Sequence, residues 1–460
     1  MIEFGIFQNG ASHLPATEVN GLYVNAVDLP TTQKIRRQTL LDQIRQGIVA
    51  DRLGYEYFWL TEHHFQPEGP EFSPNPLFTE MAIATNTKRI RLGQNANILP
   101  WHHPLRLAEQ IAILDIVSGG RVEIGVGRGY QPREAETLGG VMGATIQDQE
   151  RNRSFFHEAY EILIKAMTEP SFSHHGEFFS LPPTYTRWHH PVTMAYFSQP
   201  DVGRSLEDVL DVGTPDMYTG GIPIIATATR LKEISVYPQP LQKPHPQIWE
   251  PSTSERSIRW SARQGINGYF VAEPNARMKK AVDAYYDEAE KAGWPDRLGL
   301  GEFKYPYDAA RKRGCAAGRW VHNVDKGVGN REKFMTGLQM QWDWYGSFGF
   351  AFALAEPGDP PVDLRQRVNP ELVVEKKVAL VGTVDYVIEE IMRTRELLGG
   401  DGDFSFNCYF ETNGFESAEV EEQMRVFAEE VMPVLRRADG GMSNLPLSEV
   451  SFAVEQPQLW

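Results

Sequence analysis

Short apolar runs alternate with amphipathic stretches along the whole chain. The runs are about three to seven residues long and are mostly bounded by Gly, Asp or Pro, which is typical of buried strands. The amphipathic stretches repeat apolar residues at helical spacing, as in Leu40, Leu41, Ile44 and Ile48, which precede a terminating Gly54. The pattern predicts strands at residues 2–7, 57–61, 90–95, 122–126, 247–249, 268–271, 318–321 and 404–410. It predicts further helices at residues 105–116, 155–167, 275–292, 385–398 and 417–436.

Eight strands with helical crossovers predict an α/β fold, either a (β/α)₈ TIM barrel or a doubly wound open sheet, and we favour the barrel. A barrel needs only about 250 residues, so a chain of this length must carry long loop insertions over the C-terminal face. We expect one domain, 1–438, with insertions at about 182–246 and 323–377, a long loop at 8–34, and a C-terminal arm at 439–460. The second insertion is rich in aromatic residues, which suits a substrate lid, a satellite core or a subunit contact: Trp342, Trp344, Tyr345, Phe348, Phe350 and Phe352.

Charge and composition limit the kinds of partner that we expect the protein to bind. The formal net charge is -16, and no basic run offers a patch for phosphates, so we expect a small-molecule substrate and no nucleic acid. The longest apolar run is too short to span a bilayer, and Glu3 stands where a signal peptide would carry basic residues. We therefore expect a cytoplasmic protein that does not insert into membranes. Cys315 and Cys408 cannot form a disulfide framework and do not have the spacing of a structural zinc site.

The strongest local signal is Glu62-His63-His64-Phe65, which follows directly on a predicted strand. In a barrel this strand end lies at the C-terminal mouth, where active sites form. Neighbouring side chains on a strand point to opposite faces, so one of the two histidines should face the pocket. The same alternation prevents these residues from gripping one ion, and the other histidine pairs lack ligand spacing, so we expect no metal.

Two further segments have polar groups that could hold a ligand. Glycines at residues 125–129 let the backbone approach a ligand closely, and Arg128 offers a forked cation there, although the segment is not a Rossmann fingerprint. Residues 249–257 place Thr253, Ser254 and Ser257 at the start of a predicted helix. Hydroxyls beside free helix N–H groups form an anion site, and a simple helix cap explains the same residues.

In their order along the chain, these motifs resemble the bacterial luciferase-like flavin-dependent monooxygenases. The resemblance rests on Phe-Gly-Ile-Phe at 4–7, Glu-His-His-Phe at 62–65, the segments 92–100 and 103–104, the sequence LDIVSGGR at 114–121, and GVGRG at 125–129. Residues 381–383 and 427–433 resemble the family's last helices. Residues 185–231 and 323–377 have no evident counterpart in the family, and we expect them to select the substrate.

The resemblance implies a TIM barrel that uses reduced FMN (FMNH₂), supplied by a separate NAD(P)H:flavin reductase, together with O₂ to oxygenate a small organic molecule. The aromatic insertion favours an apolar substrate. A homodimer is implied through residues 74–85 and 105–116, whose apolar side chains exceed what one helix face needs: Leu77, Phe78, Met81, Ile111 and Ile113. Alternatives are an F420-dependent oxidoreductase of the same fold, a non-catalytic partner subunit, which would lack the histidine and the arginine, and an unrelated barrel hydrolase.

By the same resemblance, individual residues acquire roles. His63 matches the catalytic acid/base beside the flavin, and Arg128 matches an arginine near the flavin that we count with both the catalytic and the cofactor-binding residues. Asn95 and Ala96 match a non-prolyl cis peptide beneath the flavin ring. The remaining cofactor-binding residues are His64, Gly127, Tyr130 and the phosphate-binding set Thr253, Ser254 and Ser257, the last three uncertain by one position.

Overall fold

Eight parallel strands close into a barrel in the computed structural model, which describes residues 2–188, 190–211, 230–271, 273–292, 314–327, 329–356, 358–359, 363, 366–398 and 404–438. Each strand pairs with the next along the chain, and the last pairs with the first. The predicted (β/α)₈ barrel is confirmed, and the open-sheet alternative is wrong. The strands are β1 (Ile2–Gln8), β2 (Tyr57–Leu60), β3 (Arg91–Gln94), β4 (Val122–Gly127), β5 (Ile248–Pro251), β6 (Asn267–Val271), β7 (Cys315–Asn323) and β8 (Phe404–Tyr409).

Helices cross between the strands and pack outside the barrel. They are α1 (Leu29–Leu53), α2 (Pro76–Ala84), α3 (Pro104–Ser118), α4 (Gln149–Thr168), α5 (Glu255–Gln264), α6 (Asn275–Lys291), α7 (Arg331–Ser347), α8 (Val384–Leu398), α9 (Ser417–Val426) and α10 (Met432–Ala438). The Asp28 side chain caps the start of α1, and Gly54 ends it with φ of 83°, a conformation that favours glycine. The helix predicted at 417–436 is α9 and α10 joined by a π-helical turn, Phe427–Val431.

Short elements fill the connections. Short helices are Leu99–Trp101, Pro132–Glu134, Ala135–Gly139, Gly140–Met142, Pro191–Phe197, Leu206–Val209, Phe350–Leu354 and Pro370–Glu375. Small strand pairs are Thr17–Val19 with Leu22–Val24, His174–His175 with Ser180–Leu181, and Leu210–Asp211 with Arg230–Leu231, while Asn97–Ile98 pairs with β4. Residues 212–229 of the first expected insertion and the whole expected C-terminal arm, 439–460, lie outside the described residues.

Two sequence expectations need correction. The strand predicted at 318–321 is longer in the structure, because Arg319 and His322 are buried within β7 although their polar side chains interrupt its apolar pattern. The resemblance implied that Val381 and Gly382 belong to a helix, but the structure shows otherwise. They lie in a short strand, Ala379–Gly382, that pairs with the second half of β7, and only Thr383 belongs to the start of the helix that follows.

Large aromatic side chains fill the interior of the barrel. The ring of Trp59 meets those of Trp249 and Tyr269 nearly edge-on, with centroids 5.4 and 5.2 Å away. Trp59 fits because a Cβ on Gly93 would lie 2.2 Å from its ring, so β3 can approach only as glycine. The indole N–H of Trp59 donates to Asn407 (3.0 Å). This packed interior leaves the C-terminal mouth as the place for a site.

Within the described part of the chain, no helix is both long enough and apolar enough to cross a membrane.

Candidate active site

A cavity of about 320 Å³ opens at the C-terminal mouth of the barrel. All eight strands contribute to its wall, either with their last residues or with the residues that follow directly. Because the carboxyl ends of the strands converge here, the cavity occupies the position of active sites in this architecture. One lining residue from each strand end, in chain order, is Phe7, Thr61, Asn95, Gly127, Pro251, Val271, Trp320 and Tyr409.

His63 lies at the cavity wall and is only 8% exposed. Its Nε2 is 3.2 Å from Oε1 of Glu71, and its Nδ1 is 3.4 Å from Oε1 of Glu134. Burial lowers the pKa of His63, but the charges of Glu71 and Glu134 outweigh burial and raise that pKa to about 9. At neutral pH, His63 is therefore an imidazolium clamped between two carboxylates.

The side chains on either side of His63 face a different surrounding. Glu62 accepts hydrogen bonds from the backbone N–H of Ile98 (2.7 Å) and from His102 Nε2 (2.8 Å). Burial raises the pKa of Glu62, but the charge and hydrogen bond of His102 lower it to about 2. The His64 ring turns to Trp101, at 5.5 Å between centroids, and does not line the cavity. The prediction that one histidine of the pair faces the pocket is confirmed for His63.

The residues that follow β3 form part of the cavity wall. The Asn95–Ala96 peptide bond is cis, as the resemblance implied. Asn97 fixes the loop by donating to the carbonyl oxygen of Gly125 (3.0 Å). A Cβ on Gly125 would lie 1.5 Å from the carbonyl oxygen of Gln94, so only glycine allows this approach of β4.

One end of the cavity carries groups of the kind that bind anions, and we call it the anion-binding end. Ser254 caps α5 by accepting the N–H of Ser257 (3.3 Å), and it donates to the Ser257 hydroxyl (3.0 Å). Arg153 on α4 donates from Nη1 to the same hydroxyl (3.2 Å). Arg128 bonds Asn152 at the start of α4 (3.4 Å). Hydroxyls, helix N–H groups and arginines together are the chemistry that binds phosphate.

Several arginines lie close together at the anion-binding end. Burial, and next the charge of Arg153, lower the pKa of Arg128, and burial and Arg256 do the same for Arg153. Burial and the neighbouring arginines lower the pKa of His157 to about 4. Acids also stand close to them: Glu150, which forms an ion pair with Arg256, and Glu250, whose pKa burial raises to about 7 and whose carboxylate accepts the Ser261 hydroxyl. Bound anion would relieve the repulsion among the arginines.

The opposite wall is aromatic. Rings from β1, β7 and β8 follow one another: Phe7 lies 4.2 Å from Tyr409 between centroids, and Tyr409 lies 5.0 Å from Trp320. Residues 331–354, which we call the cap segment, comprise α7 and the short helix Phe350–Leu354. The cap segment completes the wall with Trp342, Tyr345, Phe350 and Ala353. It therefore covers the mouth in the position expected of a substrate lid.

The structure brings together the predicted site residues except His64. The residues that line the cavity are His63, Asn95, Ala96, Gly127, Arg128, Tyr130, Thr253, Ser254 and Ser257. Arg128 lies at the anion-binding end, which favours a binding role over the expected catalytic one. Sequence reasoning missed Glu71, Glu134 and Arg153, since no motif links them to the site. Among the described residues, no three His, Cys, Asp or Glu side chains could hold a metal ion together.

Comparison with known proteins agrees with this geometry. A family model for luciferase-like monooxygenases matches residues 19–401. The oxygenase component of the flavin-dependent trigonelline monooxygenase from Acinetobacter baylyi is 26% identical over 235 residues, which is 51% of this chain and 49% of that protein. The chain thus spans about half the length, or less, of the first curated relatives that it matches.

Two solved structures share the fold at low sequence identity. The oxygenating constituent of 3,6-diketocamphane monooxygenase from Pseudomonas putida, in complex with FMN, has a TM-score of 0.63 and 19% identity and covers 94% of this chain and 98% of its own. An F420-dependent secondary alcohol dehydrogenase has a TM-score of 0.55 and 14% identity and covers 94% of this chain and 99% of its own.

Proposed function

Since this chain belongs to the luciferase-like monooxygenase family, we propose that it is the oxygenase of a two-component system that uses reduced FMN and O₂ to oxygenate a small, largely apolar organic molecule. The observation that carries the proposal is the layout of one cavity. An anion-binding end built on Arg153 and Ser257 lies at one side, an aromatic wall at the other, and His63 lines the same cavity. That layout suits a phosphorylated flavin beside an apolar substrate.

The residues present fit FMN. Arg128, Arg153, Ser254 and Ser257 would hold its phosphate, because two cations and two hydroxyls match a dianion. Gly127 would leave room for the flavin ring above the Asn95–Ala96 peptide, since a Cβ there would lie only 3.1 Å from the Ala96 side chain. Bound reduced FMN would supply the electrons that activate O₂.

His63 would serve as the acid of the reaction. As a buried imidazolium it holds one proton beside Glu71 and one beside Glu134, and one of these protons would pass to a reacting group in the cavity. The aromatic wall would perform a second task, because reactive intermediates decompose unproductively when water reaches them. Trp320, Tyr409 and the rings of the cap segment exclude water and offer an apolar surface to the substrate.

The reductase is a proposal that the trigonelline relative supports, because that protein is named as an oxygenase component. We expect the purified chain to leave NADH unoxidised and to become active when a flavin reductase is added. Steady NADH oxidation by the chain alone would contradict the two-component arrangement.

The decisive experiment supplies photoreduced FMN and ¹⁸O₂ with a panel of small apolar ketones, aldehydes and alkenes, and searches for products that carry one ¹⁸O atom by mass spectrometry. A separate anaerobic titration, carried out with reduced FMN and with reduced coenzyme F420, distinguishes the two cofactor classes. Tight binding of the deazaflavin alone would replace the monooxygenase proposal with a dehydrogenase. Binding of reduced FMN without any product from a broad panel would favour a non-catalytic partner subunit.

A further inference from the structure

Glu71 stands at the centre of the contacts around His63. It lies in the loop between β2 and α2 and is 2% exposed. Its Oε1 accepts hydrogen bonds from Tyr130 (2.9 Å) and lies 3.2 Å from Nε2 of His63. Its Oε2 accepts from Gln131 (2.5 Å) and from the indole N–H of Trp344 (2.9 Å). One carboxylate thus receives donors from the loop after β2, the loop after β4, and α7.

The groups that contact the Glu71 carboxylate differ in their charge. A buried carboxylate requires hydrogen-bond donors and a counter-charge. His63 forms an ion pair with Glu71, and the buried guanidinium of Arg36 also interacts with the charge of Glu71. Glu134 faces the other ring nitrogen of His63, and Glu62 lies near the ring on the same loop. The uncharged Tyr130 and Gln131 face the His63 ring from the loop after β4. The surroundings of the ring therefore orient both N–H groups toward carboxylates.

The cap segment reaches Glu71 by two routes. Trp344 donates to it directly, and Phe348 and Phe350 pack edge-on against Tyr130, with centroids at 5.6 and 5.0 Å, while Tyr130 donates to Glu71. Neighbouring residues of the same segment, Trp342 and Tyr345, line the cavity. A displacement of the cap segment would therefore remove a donor from the carboxylate that holds His63.

We propose that Glu71 is a positioning residue that fixes the orientation of His63 and joins it to the cap segment, so that His63 is aligned for its task only when the cap segment is docked. The inference rests on the proposed function for the nature of that task, and on the geometry alone for the link between the three residues. Binding of substrate beneath the docked cap segment would then coincide with the alignment of His63.

The first test titrates His63 in the full-length protein without flavin, using ¹³C-labelled histidine and a His63→Gln variant to assign its NMR signal. Glu71→Gln keeps the shape of the side chain and removes the charge. We expect the proton affinity of His63 to fall by at least about tenfold, the usual effect of losing an opposite charge at this distance. Glu68→Gln is the matched control, because Glu68 lies in the same loop and pairs with Arg133 instead.

Glu71→Asp should give a smaller fall than Glu71→Gln, because the charge is kept but withdrawn by one methylene. It also provides the measurement if the Gln variant does not fold. A His63 titration that coincides with that of Glu68→Gln in a folded Glu71 variant would overturn the proposal.

The second test is a double-mutant cycle on the midpoint of urea unfolding. Trp344→Phe should lower the midpoint in the parent and have a smaller effect in the Glu71→Gln background, where the indole N–H faces a neutral amide, or in Glu71→Asp if the former does not fold. Trp342→Phe is the control, since it lies on the same helix without a hydrogen bond to Glu71, and its effect should be equal in both backgrounds. An equal effect of Trp344→Phe in both backgrounds would refute the link to the cap segment. Both tests omit flavin and substrate, so their failure is distinguishable from failure of the proposed oxygenation.

Discussion

Arg153 donates a hydrogen bond from Nη1 to the hydroxyl of Ser257 at 3.2 Å. The contact joins α4, which follows the fourth barrel strand, to the first turn of α5, which follows the fifth. It places a guanidinium beside the N–H groups that a helix presents to anions. The anion-binding end of the cavity is therefore made from two adjacent βα units rather than from one motif.

We expect Arg153→Gln to weaken the binding of FMN by about 10- to 100-fold, because a charge-assisted hydrogen bond to phosphate contributes about 1.5–3 kcal/mol. Anaerobic fluorescence titration measures the effect. Riboflavin, which lacks the phosphate, is the control ligand and should bind parent and variant alike. Equal losses for both flavins would show that Arg153 supports the cavity without touching a phosphate.

Ser254→Asp should also weaken FMN binding, by at least about 1–3 kcal/mol, since it places a negative charge against the phosphate at the start of α5. Aspartate is itself a good helix cap, so the stability of α5 should be preserved. Ser254→Asn caps the helix without a charge and is the matched control. Unchanged FMN affinity in the Asp variant would reduce this turn to a helix cap.

Replacement of His63 by Gln should lower turnover by about 10²–10⁴-fold, the usual cost of losing a general acid, with flavin affinity nearly unchanged. His64→Gln should be much milder, because that ring packs on Trp101 outside the cavity. Product formation under saturating reduced FMN is the measurement. Turnover of the His63 variant within about twofold of the parent would mean that another group supplies the proton.

The raised pKa of His63, about 9 against an ordinary 6.5, has a consequence for stability. The charged form is favoured in the folded protein, so its contribution is complete below pH 6.5 and is lost as the pH rises through about 9. The contribution is on the order of 3 kcal/mol. We expect the difference in unfolding free energy between parent and His63→Gln to shrink over this range in urea titrations. A constant difference would show that His63 is neutral when folded.

We expect Glu250 to make the binding of FMN sensitive to pH at the anion-binding end of the cavity. Burial raises its pKa to about 7, so it is mostly neutral below that pH and an anion above it. An anion beside the phosphate repels it and partly cancels Arg128 and Arg153. FMN affinity should therefore fall as the pH rises through about 7, relative to Glu250→Gln, in calorimetric titrations. Parallel pH profiles for parent and variant would place Glu250 out of reach of the ligand.

The homodimer also remains a prediction. Phe78 on α2 and Ile113 on α3 are 69% and 45% exposed. Leu77 and Ile111, which were also expected at the dimer contact, are buried in the core. Exposed apolar residues on two adjacent helices suit a two-fold contact. Light scattering should give a dimer for the parent and a monomer for Phe78→Glu. A monomeric parent at micromolar concentration would contradict it.

The parts of the molecule that sequence alone predicted share one physical property: their signal is local. The strand β2 and the Glu62-His63-His64 end could be read together, because a buried strand and its terminus lie within a few residues. The same holds for α1, whose apolar stripe and Gly54 terminator are contiguous. Alternation predicted that one histidine of the pair faces the pocket, and His63 lines the cavity whereas His64 does not.

What sequence could not give depends on contacts between distant segments. Glu71 and Glu134 meet at His63 only after the loops that follow β2 and β4 fold toward each other. Arg153 meets Ser257, which lies 104 positions later in the sequence. Within β7, the buried polar residues Arg319 and His322 interrupt the apolar pattern. The sequence therefore predicted a strand shorter than the one in the structure.

The aromatic wall that the cap segment contributes comes from one uninterrupted stretch of chain, whereas the anion-binding end and the His63 surroundings are assembled from several βα units. Such a division makes the molecule modular. The stretch 331–354 could be exchanged for that of a relative to change the range of compounds accepted while the flavin-binding half stays as it is. The graft would have to retain an indole at position 344, because a replacement without that N–H would leave the Glu71 carboxylate short of a donor.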